Sequence, residues 1–470
     1  MANQVKSFNG VAIGNIKNIN GLTDANIKNI NGQEFTGTIP PDGFTVTNYQ
    51  FDSNRVWGSD LAWDPDTDTL CVLYGDDGNG DYPTYRLGKL NATTGDVTIT
   101  WQNAVALSSA GAGYHTKPVY DTGNNRMGLV FLESGADGTN RYRIAFGHIT
   151  NSGSTPSMSV GSHVTIHATS SGTYNQADGS DIAIYWPDMG AVVTALEYGD
   201  DDNDANFVKA FKYNSSDGGV KEPDQDGLMF ADTNQERYAL TYDSTINRVV
   251  IISWQPDANN VNKIYGNILD YDTSSTHDLD LELEITKPGT HLFNATHGSN
   301  AGSSNGTWAQ YNPVANIHHV LINENAIGDD VIRNVKISGS DGSFTMDPHT
   351  TYQLVIPDDM DTYTTLWWNN ARSKLCIAGT STSQSSGDTI KALGYTFTED
   401  TGTEANSTFT ANGTAQSLVV SDHNLYYGRY LKFGEDTGSD MHTGNLAAIL
   451  SFYGGSRDNE GVIVGFDPGG

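Results

Sequence analysis

Seven aromatic residues, Trp57, Tyr114, Tyr174, Trp308, Tyr363, Tyr426 and Tyr427, stand where the chain enters strand-like segments. Between such segments lie short acidic, glycine-rich runs: GDDGNGD (75–81), SGADGTN (134–140), GDDDNDAN (199–206) and SRDNEG (456–461). Flat rings stack on the apolar faces of sugars, while carboxylates accept hydrogen bonds from hydroxyls or hold a hard cation that does so. The pairing suits a carbohydrate surface. The densest carboxylates for calcium are Asp76, Asp77 and Asp81 in one run and Asp200, Asp202 and Asp204 in another. Neither run has the full spacing of a calcium loop. Rings at such places also fill space between packed sheets, and Asp/Gly runs are also ordinary hairpin tips.

The elements that must position these groups form a long repeat. An apolar strand runs into an Asp/Asn-rich turn and then into a second strand of Val, Ile and Leu: DLAWDPDTDTLCVLYGDD (60–77), KPVYDTGNNRMGLVFLESG (117–135), DIAIYWPDMGAVVTALEYGDD (181–201), YALTYDSTINRVVIISWQPD (238–257), WAQYNPVANIHHVLINEN (308–325), TLWWNNARSKLCIAGTS (365–381) and RYLKFGEDTGSDMHTGNLAAILSFYGG (429–455). With Asp64, Asp121, Asp188, Asp243, Asn312, Asn369 and Glu435 as equivalent turn positions, the spacings are 57, 67, 55, 69, 57 and 66. Each interval holds four strands, as in TYRLGKL (84–90) and DVTITW (96–101) of the first copy, or IKALGYTF (390–397) and a segment near 414–420 of the sixth. Four antiparallel strands repeated seven times predict an all-β, seven-bladed β-propeller. The last copy lacks its outermost strand, and FTVTNY (44–49) is the segment left to supply it, so an N-terminal strand is expected to close the ring.

On this registration the second-to-third loops, which are the acidic runs, and the inter-blade loops, which carry the aromatics, emerge on one face. Cys71 and Cys376 fall at matching places in the second strands of blades 1 and 6, which predicts two separate core thiols, without a disulfide or a catalytic role. Arg55, Arg237 and Arg429 precede or open first strands, and an inward arginine cluster holds a sugar carboxylate in sialidase-like propellers. The Asp-box of that family is reduced here to one degraded copy, SSNGTW (303–308). Arg126, Arg248 and Arg372 belong to the first-to-second turns and read as structural. No nucleophile elbow, phosphate loop or metalloprotease helix occurs, and His163 and His167, four apart in a strand-like context, do not converge. No catalytic residue is assigned, and a non-enzymatic role is expected, with a virion-borne polysaccharide depolymerase or sialidase-like glycosidase as an alternative.

Ahead of the body, residues 15–21 and 26–32 both read NIKNING, with QVKSFNG (4–10) a weaker copy at the same period of 11. The apolar positions are Val5, Phe8, Ile16, Ile19, Ile27 and Ile30, and each unit closes on Asn-Gly, which adopts the turn that joins two short strands. Three such units bury little, so this arm needs a partner: another copy, or the body. The run SFNGVAIGNIKNINGLTDANIKNING is similar to the Ile-Asn-Gly repeats near the N termini of structural proteins of marine tailed bacteriophages, over about the first 33 residues of 470. That resemblance implies a virion structural protein, on the tail or the capsid exterior. Its implied roles are a tail fibre or attachment protein that binds a host surface glycan or protein, or a capsid decoration protein without ligand. Residues 1–33 are then an arm for anchoring to other virion proteins or for homo-oligomerisation, 34–43 a linker stiffened by Pro40-Pro41, and 44–470 the propeller.

Composition agrees with this division. Twenty-five Lys and Arg against 56 Asp and Glu give a net charge of −31, which excludes a general nucleic-acid binder. The arm, residues 1–36, holds Lys6, Lys17 and Lys28 against Asp24 and Glu34, a net of +1, which leaves −32 on the body. No apolar run approaches the ~18 residues of a membrane-spanning helix, so no membrane insertion is expected, and MANQVKSFNG has no apolar signal segment.

Overall fold

The computed structural model describes six short strands between residues 7 and 34, residues 47–54, most of residues 56–400, and the segments 407–412, 415–418, 446–451 and 461–465, with side chains between residues 50 and 415. The arm strands pair as three hairpins: Ser7–Phe8 with Val11–Ala12, Asn18–Ile19 with Leu22–Thr23, and Asn29–Ile30 with Gln33–Glu34. Each pair encloses one Asn-Gly, the two-residue connection expected of that dipeptide.

The body is all-β, a succession of small antiparallel meanders in a propeller-like arrangement. Six sheets, I to VI, run in chain order from their first strands: Val56–Asp64, Thr116–Asp121, Ala183–Trp186, Arg237–Asp243, Ala309–Asn312 and Thr362–Asn369. A seventh sheet joins Leu446–Ser451, Gly461–Gly465 and the N-terminal strand Thr47–Asp52, in that order. Successive first strands pack side by side from sheet I to sheet VI, and Leu446–Ser451 packs against Val56–Asp64. The described strand includes Thr47, Asn48 and Tyr49 of the 44–49 segment expected from sequence and runs on to Asp52, while residues 44–46 lie outside the described residues.

Second strands are sandwiched between neighbouring sheets, which is why they read as unbroken apolar runs rather than as alternating ones. Every residue of Thr69–Asp76 is buried, and Leu129–Leu132, Ala191–Leu196 and Val249–Ile252 behave alike. The cores lie between sheets: Leu73, Tyr85, Leu87, Met127, Leu129 and Phe131 join sheets I and II, and Val193, Val208, Tyr238, Leu240 and Ile251 join III and IV.

The turn between first and second strands is built from one recipe. Asp64, Asp121, Asp243 and Asn312 each accept, on Oδ1, the backbone amides two and three residues on, at 2.9–3.4 Å. Four residues after each comes a left-handed residue, Asp68, Asn125, Asn247 or Asn316, with φ of 48–54°, a conformation Asp and Asn tolerate. In sheet III that residue is Gly190 and in sheet VI Ser373. The position equivalent to Asp64 in sheet III is thus Trp186 and not Asp188, which corrects the spacings to 57, 65, 57, 69 and 57 over six sheets.

The corrected register exposes a two-sheet unit. Asp68 to Gly190 and Asn125 to Asn247 each span 122 residues, and Gly190 to Asn316 and Asn247 to Ser373 each span 126. Sheets I, III and V carry Pro65, Pro187 or Pro313 in the turn and a lysine near the end of the third strand, Lys89, Lys212 or Lys336. Sheets II, IV and VI place the cation directly after the left-handed residue instead, as Arg126, Arg248 or Lys374.

Fourth strands form the outer edge, and they are interrupted. In sheets I, II, III and VI the third strand pairs with two consecutive short strands, as Asn140–Ser152 does with Thr155–Val160 and Val164–Thr169. In sheet VI these are Thr408–Ala411 and Gln416–Leu418, so the outer strand starts well before the 414–420 segment expected from sequence. In sheets IV and V the outer strand is single but its register shifts. Breaking the row of outward amides and carbonyls blunts an edge that would otherwise template pairing with another chain.

Candidate binding face

The best described part of the acidic face is the loop after the second strand of sheet I. Asp77–Asn79 form one 3-10 turn, Gly80 closes it in the left-handed region at φ 74°, and the Asp81 amide donates to the Asp76 carbonyl at 2.8 Å. The turn rests on the segment that enters the body: a Cβ on Gly78 would lie 2.3 Å from Asn54 Nδ2, so a larger residue there would have to displace the exposed Asn54 side chain. Just before Asn54, the end of the N-terminal strand is locked into sheet I. Phe51 is fully buried, edge-on to Tyr74 at 5.2 Å and tilted against Trp101 at 5.9 Å. Asp52 accepts the Tyr74 hydroxyl at 2.6 Å and the Asn54 amide at 2.9 Å. Arg86 donates from Nη1 to the Phe51 carbonyl and from Nε to the Gln102 carbonyl at 2.6 Å.

This seam is dense in negative charge. Burial, then the Asp52 and Asp77 carboxylates, push the Asp76 carboxyl up, partly offset by the Gly78 and Asn79 amides. Burial and Asp52 likewise push the Tyr74 hydroxyl far above its ordinary value, so it stays a hydrogen-bond donor. The calcium trio expected at Asp76, Asp77 and Asp81 does not form: among the described residues no three His, Cys, Asp or Glu side chains group as metal ligands. The reason is local, since Asp76 is buried at the strand end while Asp77 is exposed on the turn. Asp200, Asp202 and Asp204 lie outside the described residues.

Of the aromatic set, Trp57 falls inside the first strand, its backbone opposite Gly75 at a register shift next to the acidic loop. Tyr363 is the second residue of Thr362–Asn369. Both are placed on strands rather than in the connecting loops expected of them. Tyr114, Tyr174, Trp308, Tyr426 and Tyr427 lie outside the described residues, as do Val5, Ile16 and Ile27 of the arm, whereas Phe8, Ile19 and Ile30 each end the first strand of a hairpin. Arg237 opens its strand opposite Trp254, and Arg55 and Arg429 are outside the described residues.

The cysteines and the described turn arginines make structural contacts. Cys71 and Cys376 are fully buried and form no disulfide, and burial raises the Cys71 thiol, so neither is an exposed thiolate. Arg126 donates to the Asn124 and Asn125 carbonyls and stacks 4.5 Å over the Tyr213 ring, and Arg248 pairs with Asp270 at 3.0 Å. Ion pairs such as Lys117–Asp60, at 2.7 Å between the first strands of sheets I and II, and Arg143–Glu133, at 2.6 Å within sheet II, are not legible in the sequence because their partners are far apart along the chain or on different strands. His163 packs edge-on to Phe131 and His167 to Phe207, so these two histidines address different neighbours. A cavity of about 230 Å³ opens between the outer parts of sheets I and II, lined by Tyr85, Leu107, Phe131, Met158, Val160 and His163.

No protein-family model matches the chain, and no curated protein matches it. Among solved structures, a glucose dehydrogenase aligns over 71% of this chain and 96% of its own at 11% identity, with a TM-score of 0.39. A Bacillus subtilis levansucrase in complex with oligosaccharides aligns over 73% of this chain and 91% of its own at 13% identity and a TM-score of 0.31. A chain from a study of two prolyl endopeptidases aligns over 89% of this chain and 49% of its own at 10% identity and a TM-score of 0.32. Likenesses of this size assign no activity and no residue.

Proposed function

We propose that the chain is a non-enzymatic structural protein of a tailed-phage virion, a tail fibre or tail-associated attachment protein. In this reading the body is a seven-bladed β-propeller whose seventh blade is completed by Thr47–Asp52, and residues 1–33 anchor it to other virion proteins or to further copies. The face of the acidic loops then meets a host surface glycan or protein. The observation that carries the reading is the arm: three Asn-Gly hairpins at a period of 11 that precede an all-β body. The commitment of cysteines, turn arginines and turn aspartates to structure supports binding over catalysis. Several copies on one particle would turn weak contacts into firm attachment.

The test compares the full chain with a variant lacking residues 1–33. Full chain that enters particles and binds host cells, with the truncated form absent from particles, supports attachment. Capsid binding without host-cell binding makes it a decoration protein, and release of reducing sugar from host polysaccharide makes it a depolymerase.

A further inference from the structure

The strand that leads into sheet I has a direction that its registers fix. In sheet I the second strand runs from the turn at 65–68 to Asp76, so the first-to-second turns lie on one rim and the second-to-third loops on the other. Hydrogen bonds between neighbouring sheets keep the turns together: the Tyr120 hydroxyl donates to Asp66 at 3.3 Å, the Gly123 amide to the Tyr185 hydroxyl at 3.1 Å, Trp186 Nε1 to the Asn247 carbonyl at 3.2 Å, and Thr245 pairs with Tyr311 at 2.6 Å. These link sheets I–II, II–III, III–IV and IV–V on a single turn rim.

In the seventh sheet, Gly461 follows the second-to-third connection and Gly465 lies at the far end of that strand. Thr47 pairs with Gly465 and Asp52 with Gly461. The chain therefore enters the body at the turn rim, climbs to the loop rim at Asp52, and starts sheet I there, where Val56 pairs with Asp76. Thr47, the first described residue of the body, and the acidic loop after Asp76 thus lie at opposite rims.

We infer that the body is displayed with a fixed polarity: the turn rim faces the protein assembly that holds the arm, and the loop rim faces away from it. This rests on the anchoring role proposed for residues 1–33. It adds the surface that contacts the arm's protein partner, and it predicts that the two rims have separable functions.

The test uses the full chain with one added cysteine, Asp66→Cys on the turn rim or Asn79→Cys on the loop rim, each coupled to a large polyethylene glycol maleimide. The native Cys71 and Cys376 are buried and stay unlabelled in the folded protein. The polymer at position 66 should lower incorporation into particles about tenfold or more while leaving binding of free protein to host cells unchanged. The polymer at position 79 should do the reverse. Loss of incorporation from position 79, or none from position 66, overturns the polarity. If unlabelled protein lacking residues 1–33 still enters particles, the anchoring role itself fails, and the polarity with it.

Discussion

His318 and Asp243 meet across the boundary between sheets IV and V, imidazole Nε2 to carboxylate Oδ2 at 3.1 Å, with both side chains at 0% exposure. The second ring nitrogen lies 3.0 Å from Thr241 Oγ1, and the second carboxylate oxygen accepts the Thr245 and Ile246 amides. Burial alone would raise the Asp243 carboxyl, but the hydrogen bond and charge of His318 and the two amides outweigh it and hold it below the ordinary value. One residue thus both closes its own turn and ties two sheets.

Breaking this tie should be costly, because either partner removed leaves the other buried and uncompensated. His318→Ala is expected to lose about 3–5 kcal/mol in a denaturant titration. Asp66→Asn, on an exposed turn position, should stay within about 0.5 kcal/mol. Equal losses from the two would contradict the assignment.

Acid should weaken the fold before Asp243 titrates. Burial lowers the His319 pKa to about 4, opposed by its bond to Asn334 and reinforced by nearby His318 and His349. Unfolded, His319 returns to about 6.5, so the unfolded chain takes up the proton first. Stability is then complete above about pH 6.5 and falls toward pH 4, by about 2–3 kcal/mol from this group. Asp243, with a lowered pKa, contributes in full until the pH falls below about 4. Urea midpoints should therefore drop between neutral and mildly acidic buffer, and less so in His319→Gln. A flat or rising profile would refute the account.

The N-terminal seam should fail as a unit. Phe51→Ala is expected to cost about 3–5 kcal/mol. Tyr74→Phe, which deprives the buried Asp52 of a donor, should cost about 1–3 kcal/mol. Both should speed proteolytic cleavage near residues 47–52, and unchanged cleavage would mean that the strand is held some other way.

The two thiols should be silent. A thiol reagent should find no reactive cysteine in the native protein and two after denaturation. Rapid native labelling of either would contradict their burial.

At Asn247, φ is 54°, and its side chain accepts the Tyr242 hydroxyl at 3.1 Å. Asn247→Ala should lose about 1–2 kcal/mol from the left-handed strain alone, while Asn247→Gly keeps the backbone and forfeits only the side-chain bond. A thermal melt that ranks them in the opposite order would remove the strain argument.

By itself the sequence determined what is local. NIKNING repeated at 11 residues dictates Asn-Gly hairpins, Asp and Asn before a hairpin dictate capped turns, and apolar runs such as Leu70 to Tyr74 dictate strands buried on both faces, because each rests on neighbours a few residues away. The tertiary structure decided what depends on pairing. It moved the turn equivalence from Asp188 to Trp186, since only the left-handed Gly190 fixes the register, and so revealed the two-sheet unit. It took Trp57 and Tyr363 into strands, separated Asp76 from Asp77 as a ligand set, and joined Asp52 to Tyr74 and Asp243 to His318 across 22 and 75 residues of chain. Registers and inter-sheet bonds are long-range, and spacing along the chain carries no record of which end of a strand a partner will meet.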